Sequence, residues 1–120
     1  SDFKTIIVEQ PELHIHPALQ ADLADIFIKS ALLRGNRFIL ETHSENLMLR
    51  LLKRIRQSFQ NDPEYPADWP KLSPEMISVV YAKAGKNGTD LIPIQLTQDG
   101  DFENRWPDGF FTERARELFS

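Results

Sequence analysis

"TIIVEQPELHIHP", Thr5 to Pro17, is the stretch that decides how this chain reads. Its opening residues are apolar and rich in β-branched side chains, a run too short for a helix and right for a strand. The strand reading runs from Phe3 to Val8 and is apolar on both faces from Ile6 to Val8, as a central parallel strand is. Polarity then changes at once: Glu9, Gln10, Glu12, His14 and His16 come next. Pro17 suits the first turn of a helix. A buried strand that runs straight into acids, an amide and imidazoles points to a site at its carboxyl end.

Outward from this stretch, Leu19, Leu23, Ile26 and Phe27 recur at helical spacing and are expected to form one buried helix face, with Gly35 as the stop. Phe38 to Leu40 reads as a second short strand. Ser44 is a good N-cap, and Leu47, Leu51, Ile55 and Phe59 form the apolar stripe of the helix it starts. Strand, helix, strand at this spacing is a βαβ unit, expected to be parallel and right-handed, within residues 1–60. Asn61 to Pro74 carries four prolines and reads, across 61–75, as a loop ordered in part by Tyr65 and Trp69. Residues 76–120 read as two strands, Met76 to Ala82 and Leu91 to Leu96, around "GKNG" (Gly85 to Gly88), with glycines for positive φ. A terminal helix is expected from about Thr112. The fold class is therefore α/β: a partial parallel sheet, a β-hairpin and a C-terminal helix.

The bulk numbers narrow the function. At 120 residues the chain is one domain or a piece of one. A formal net charge of −4 gives no global attraction to nucleic acid or an anionic membrane. There is no cysteine, so disulfides and thiolate zinc sites are excluded. No apolar run approaches the ~18 residues of a membrane span, and no secretory signal opens the chain. The expectation is a cytoplasmic protein with no membrane partner.

Open parallel sheets bind ligands outside the carboxyl ends of their strands. "EQPE" follows the first strand and "ETHSEN" (Glu41 to Asn46) the second, so adjacent strands would bring Glu9 close to His43. An acid at a strand end suits magnesium held together with a nucleoside triphosphate, because magnesium takes one or two carboxylates plus waters and phosphates. A following side chain can orient the attacking water, and a histidine on the next strand can reach the γ-phosphate. Glu41 and Glu45 read as surface or capping residues.

These residues resemble a known group. "IIVEQPELHIHP" is similar to the Walker B and D-loop region of ABC-type ATPases, and more narrowly to the SMC/OLD-like branch of AAA-type ATP-binding proteins. "FILETHSENL" resembles that branch's switch-histidine segment. "GDFENRWPDGFF" resembles the C-terminal extension of a family of uncharacterised bacterial ATPases. The resemblance implies a P-loop-NTPase-like fold that uses ATP and Mg2+. It gives Glu9 the Walker B role of holding magnesium through its water shell, and His43 the contact to the γ-phosphate. It places His16, with His14 beside it, in the D-loop region that faces a partner subunit of a homodimer. Gln10 departs from the pattern, for it stands where most ABC ATPases have the catalytic glutamate. Glutamine orients water but cannot take its proton; Glu12, two residues on, is the candidate to supply a carboxylate. No G-x-x-x-x-G-K-[ST] occurs in the chain. The resemblance therefore implies the C-terminal portion of a longer ATPase, whose P-loop lies upstream, with no nucleotide tightly held and no hydrolysis by this chain alone.

Two other classes compete. His14-x-His16, completed by Glu12 or His43, has the donors of a zinc hydrolase site. Arg50, Lys53, Arg54 and Arg56 give the second helix a basic stretch suited to phosphate contacts with DNA; a solvated helix face is the bland alternative. Trp106 to Phe111 ("WPDGFF") reads as a partner-docking patch or as a terminal segment packed on its own domain.

Overall fold

The computed structural model describes residues 4–103. The terminal helix expected from Thr112 and the Trp106–Phe111 segment lie outside the described residues. The described chain runs β1 (Thr5–Glu9), α1 (Pro17–Arg34), β2 (Arg37–Glu41), α2 (Glu45–Gln60), β3 (Val79–Gly85) and β4 (Gly88–Ile94). A single 3-10 turn, Pro74–Met76, precedes β3.

β1 and β2 pair in parallel, from Thr5 opposite Arg37 to Glu9 opposite Glu41. The pairing continues one residue further, with the Gln10 N–H donating to the Glu41 carbonyl at 2.6 Å. α1 starts at Pro17, where a missing N–H costs nothing, and stops at Gly35, whose φ of 70° is the left-handed conformation that glycine adopts freely. Ser44 caps α2 as its sequence position predicts, accepting from the Leu47 N–H at 3.0 Å. The βαβ unit expected from the sequence is present.

Two burial expectations are overturned. β1 is not apolar-buried on both sides: Ile7 is 70% exposed and its β2 partner Ile39 57%. Only Ile6, Val8, Phe38 and Leu40 turn toward the helices, where Phe38 meets Phe27 edge-on at 5.1 Å. The second correction concerns α1. Its buried residues are Ala24 and Ile28, whereas Leu19 and Ile26, expected inside, are exposed. The cause is that α1 is apolar nearly all round, so spacing alone does not say which side turns inward.

α2 is the central element. Leu52 and Ile55 are fully buried, and Leu47 and Leu49 nearly so. One side of its core holds Ile28, Ile55 and Leu72, with Leu51, Phe59, Tyr65 and Trp69 around them. The loop after α2 is fixed as expected: Tyr65 and Trp69 stack edge-on at 5.7 Å, and the Tyr65 hydroxyl donates to the Pro70 carbonyl at 2.6 Å. Leu72 is held by its N–H to Ser58 Oγ at 2.9 Å. On the other side, Val79 and Ile94 of the hairpin pack with Met48, Ile77 and Leu96. Ile77 and Leu96 belong to both clusters, which makes the core continuous.

β3 and β4 form the expected antiparallel hairpin, with Gly85 opposite Gly88. The boundaries shift: β3 starts at Val79, because Pro74–Met76 takes the 3-10 turn, and Leu96 instead bridges to Phe102. Of the two glycines, only Gly88 has positive φ, 117°. No helix among the described residues is long and apolar enough to cross a membrane.

Candidate functional site

The parallel register fixes the geometry. Glu9 and Glu41 are direct neighbours at the carboxyl ends of β1 and β2, on the same exposed face. The chain leaves β1 through two unusual residues, Gln10 (φ 46°) and His14 (φ 67°). Positive φ is uncommon outside glycine and is held only where surroundings impose it. Here the imposing contacts are the short Gln10–Glu41 bond and a turn in which the Leu13 N–H donates to the Gln10 carbonyl at 3.0 Å.

Glu12 joins the two strand-end loops. Its Oε1 accepts from Thr42 Oγ1 at 2.7 Å and its Oε2 from the His43 N–H at 3.0 Å. Partial burial alone would push the carboxyl up. The His43 N–H and the Thr42 hydroxyl outweigh it, and Glu12 sits below the usual carboxylate range. Thr42 Oγ1 in turn accepts from the Ser44 N–H at 3.0 Å. Ser44 Oγ donates to Gln20 Oε1 at 2.7 Å, and Gln20 Nε2 donates to the Ile15 carbonyl at 3.3 Å. A closed network thus ties the loop after β1, the first turn of α1 and the loop after β2.

The two strand-end motifs of the sequence do meet. Glu9, Gln10 and Glu12 stand on one side, and Thr42 and His43 on the other, connected through Glu12. His43 is exposed beyond that joint. His14 and His16 are exposed too, with Ile15 half-buried between them. His16 also acts locally, for its Nδ1 accepts from the Ala18 N–H at 3.1 Å and caps α1. Thr42 and Gln20 were missed by sequence reasoning. Thr42 could have been found, since a hydroxyl beside His43 at a strand end is a natural partner for a carboxylate on the neighbouring loop; Gln20 carried no such signal.

The donor chemistry at Glu9 and Glu41 fits a magnesium ion that keeps waters and phosphates in its shell. Among the described residues no group of three or more His, Cys, Asp or Glu stands together. Four-ligand zinc needs such a group, so His14, His16, Glu12 and His43 form no assembled zinc shell.

Two of the basic residues of α2, Arg50 and Arg54, face α1. Arg50 Nη1 lies 2.6 Å from Asp25 and 3.5 Å from Asp22. Arg54 binds Asp25 through Nε and Nη2, both at 3.0 Å, and donates to the Glu64 carbonyl at 3.1 Å. Its guanidinium also lies 5.5 Å from the Trp69 ring centre. Burial would push Asp25 up, but the hydrogen bonds and charges of Arg54 and Arg50 hold it below its ordinary value. Arg54 itself is raised, chiefly by its bond to Asp25. Two of the four basic residues are therefore interhelical braces, in geometry neither a free phosphate stripe nor a merely solvated face.

Residues 2–50 match the model of the family described as "AAA domain, putative AbiEii toxin, Type IV TA system". The match covers β1, α1, β2 and the start of α2, and with them both strand-end motifs. It makes this part of the chain similar to an AAA/ATPase-type domain. No curated protein and no solved structure matches the chain.

Proposed function

We propose that this chain supplies the Walker B and switch half of an ATP-hydrolysing site, of the ABC-like SMC/OLD kind. The observation that carries the reading is the pairing of β1 with β2 in a register that sets Glu9 beside Glu41 and lets Glu12 hold the His43 segment. Similarity of residues 2–50 to an AAA domain supports it. Mg2+ bound with ATP would supply charge neutralisation at the β- and γ-phosphates.

The chain's own residues divide the remaining work. Glu9 holds the hydrated cation through its carboxylate. Gln10, whose backbone is fixed by Glu41, orients water without taking its proton. His43 reaches toward the γ-phosphate. Glu12 has both oxygens occupied and its carboxyl lies below the usual range, which makes it a poor proton acceptor, so it locks the His43 segment rather than acting as a base. The phosphate cradle comes from a P-loop on another segment, and His14 and His16 face a second subunit.

The test is Mn2+ with ATP as a paramagnetic probe of the 120-residue chain. Weak binding is enough to broaden nearby amide signals. Those of Glu9, Gln10 and Glu41 to His43 should broaden first, and Glu9→Ala should remove the effect. Broadening centred elsewhere, or unchanged in Glu9→Ala, refutes the assignment.

A further inference from the structure

We infer that the outer face of α1 is a self-association surface, on which a second copy of this chain packs its own α1 antiparallel. Leu19, Ile26 and Leu33 are 55%, 63% and 43% exposed. They recur every seven residues in the sequence and so lie along one line of the helix. That line is opposite the face carrying Ala24 and Ile28, which packs inside. Half-buried Leu23 lies at its edge. A helix with apolar residues on both sides has the pattern of one packed on both sides.

Charge selects the occupant and its direction. Along one flank of the apolar line stand Asp22, 62% exposed, and Lys29, also exposed. Parallel pairing of two copies would turn this flank toward the partner's opposite flank, where Arg34 stands, and so give Lys29 a like charge and Asp22 no partner. An antiparallel pair about a two-fold axis close to Ile26 sets Asp22 of each copy toward Lys29 of the other, twice. The same axis brings Leu19 toward Leu33 and Ile26 toward itself. A surface that complements itself under a two-fold rotation describes a closed dimer. The seven-residue repeat suits the shallow crossing of about 20° that such helix pairs adopt. One helix face falls short of the roughly 800 Å2 per partner of a standard interface, so the dimer is a concentration-dependent equilibrium. This contact is separate from the strand-end site and from the exposed Ile7–Ile39 sheet face.

The absence of cysteine makes the test direct. Single Ile26→Cys should cross-link to itself under mild oxidation, single Leu19→Cys should not, and Leu19→Cys mixed with Leu33→Cys should give the mixed dimer. Sedimentation of the unmodified chain across a concentration series should show a dimer, at least tenfold weakened by Ile26→Glu and measurably weakened by Lys29→Asp. Ile39→Glu, on the sheet face, should leave it unchanged. Ile26→Glu points to solvent, so an unaltered circular dichroism spectrum and melting curve confirm that folding is intact. A chain that is monomeric at all concentrations overturns the inference. So does a dimer that Ile39→Glu disperses and Ile26→Glu does not, or efficient self-linking of Leu19→Cys, which would require parallel helices.

Discussion

Glu12 and His43 are 31 residues apart in the chain, and the His43 backbone N–H donates to Glu12 Oε2 at 3.0 Å while Thr42 Oγ1 donates to Oε1 at 2.7 Å. One carboxylate thereby fastens the loop leaving β1 to the loop leaving β2. Strand pairing stops just before these loops, so without Glu12 their relative position rests on the Thr42–Ser44–Gln20 contacts and on the 3.3 Å bond from Asn46 Nδ2 to the Pro17 carbonyl.

Glu12→Ala should therefore loosen the site before it loosens the fold. The expected outcome is faster amide hydrogen exchange at His43 and Ser44, with exchange in the α2 interior at Leu52 little changed. The stability cost should be about 1 kcal/mol, below the ~1.5–3 kcal/mol range for charged hydrogen bonds because the group is partly solvated. Unchanged exchange at His43 would show that the other contacts suffice.

The same carboxylate gives a pH dependence whose sign is fixed. Glu12 and Asp25 both lie below their ordinary values of 4.5 and 3.8 in the folded chain. A depressed carboxyl contributes stability that is complete above its unfolded value and lost as pH falls through the folded one. Melting temperature should hold to about pH 5 and fall below it. Glu12→Ala and Asp25→Ala variants should each show a shallower fall than the parent chain. An equally steep fall in both would assign the acid sensitivity to other groups.

Much of the helix and strand pattern was legible from local signals, and the failures share one cause. Ser44, Gly35 and Pro17 act on backbone within a few residues of themselves, so their positions could be read directly. Leu47 and Ile55 stand against polar neighbours on α2, and the contrast revealed their face. On α1 the contrast is missing: Leu19 and Ile26 look no less buried than Ala24 and Ile28 until α2 chooses a side. The exposure of Ile7 likewise depends on what covers the sheet. In the site, the sequence reading sets His43 beside Glu9 and leaves Glu41 a surface or capping residue, whereas the strand register makes Glu41 the neighbour of Glu9; Glu12 on Thr42 required positive φ at Gln10 and His14, which no glycine announced. The Arg50 and Arg54 braces did carry a sequence signal, because these residues, four apart, share one face of α2, as Asp22 and Asp25, three apart, share one face of the preceding helix.

Those braces lead to a further expectation. Asp25 receives both guanidiniums, and the three side chains are only 14–23% exposed. Asp25→Ala should cost about 1.5–3 kcal/mol in urea unfolding, since two partly buried cations lose their partner. Arg50→Ala should cost less, because Arg54 would still hold Asp25. A double variant Asp25→Ala with Arg54→Met should be more stable than Asp25→Ala alone. Strict additivity of the two changes would mean that the pair contributes nothing.

Gly100 tests the seat of the loop after the hairpin on α2. It is buried, with φ 73°, and a Cβ there would collide with the Leu52 carbonyl oxygen and come within 2.9 Å of the Arg56 Cβ. Backbone strain of about 1–2 kcal/mol adds to overpacking of about 1–3 kcal/mol. Gly100→Ala should thus lower stability by about 2–5 kcal/mol, read from the urea midpoint. Gly88→Ala, whose Cβ would meet nothing within 4 Å, carries only the strain and should cost less. Equal costs would refute the close approach.

The final expectation concerns hydrolysis, and it rests on the chemistry open to Glu9, Gln10 and His43. They can hold a hydrated cation, orient water and touch a phosphate. None of them wraps the triphosphate in backbone N–H groups as a P-loop does, and no P-loop sequence occurs in the chain. The 120-residue chain should release phosphate from Mg2+ and ATP at the buffer's own rate, and Glu9→Ala should leave that rate unchanged. In a polypeptide or complex that adds the P-loop, Glu9→Ala should abolish turnover, because the cation loses its carboxylate. Gln10→Ala should lower turnover about 10- to 100-fold, at or below the lower end of what one positioned proton-transfer group contributes. Glu12→Gln separates locking from base catalysis. As a lock, it keeps one acceptor for Thr42 or His43, so turnover should fall only a few fold with an unshifted pH profile. Near-abolition of turnover with ATP binding intact would instead make Glu12 the base. Turnover by the 120-residue chain alone that disappears in Glu9→Ala would show that these strand ends need no P-loop at all.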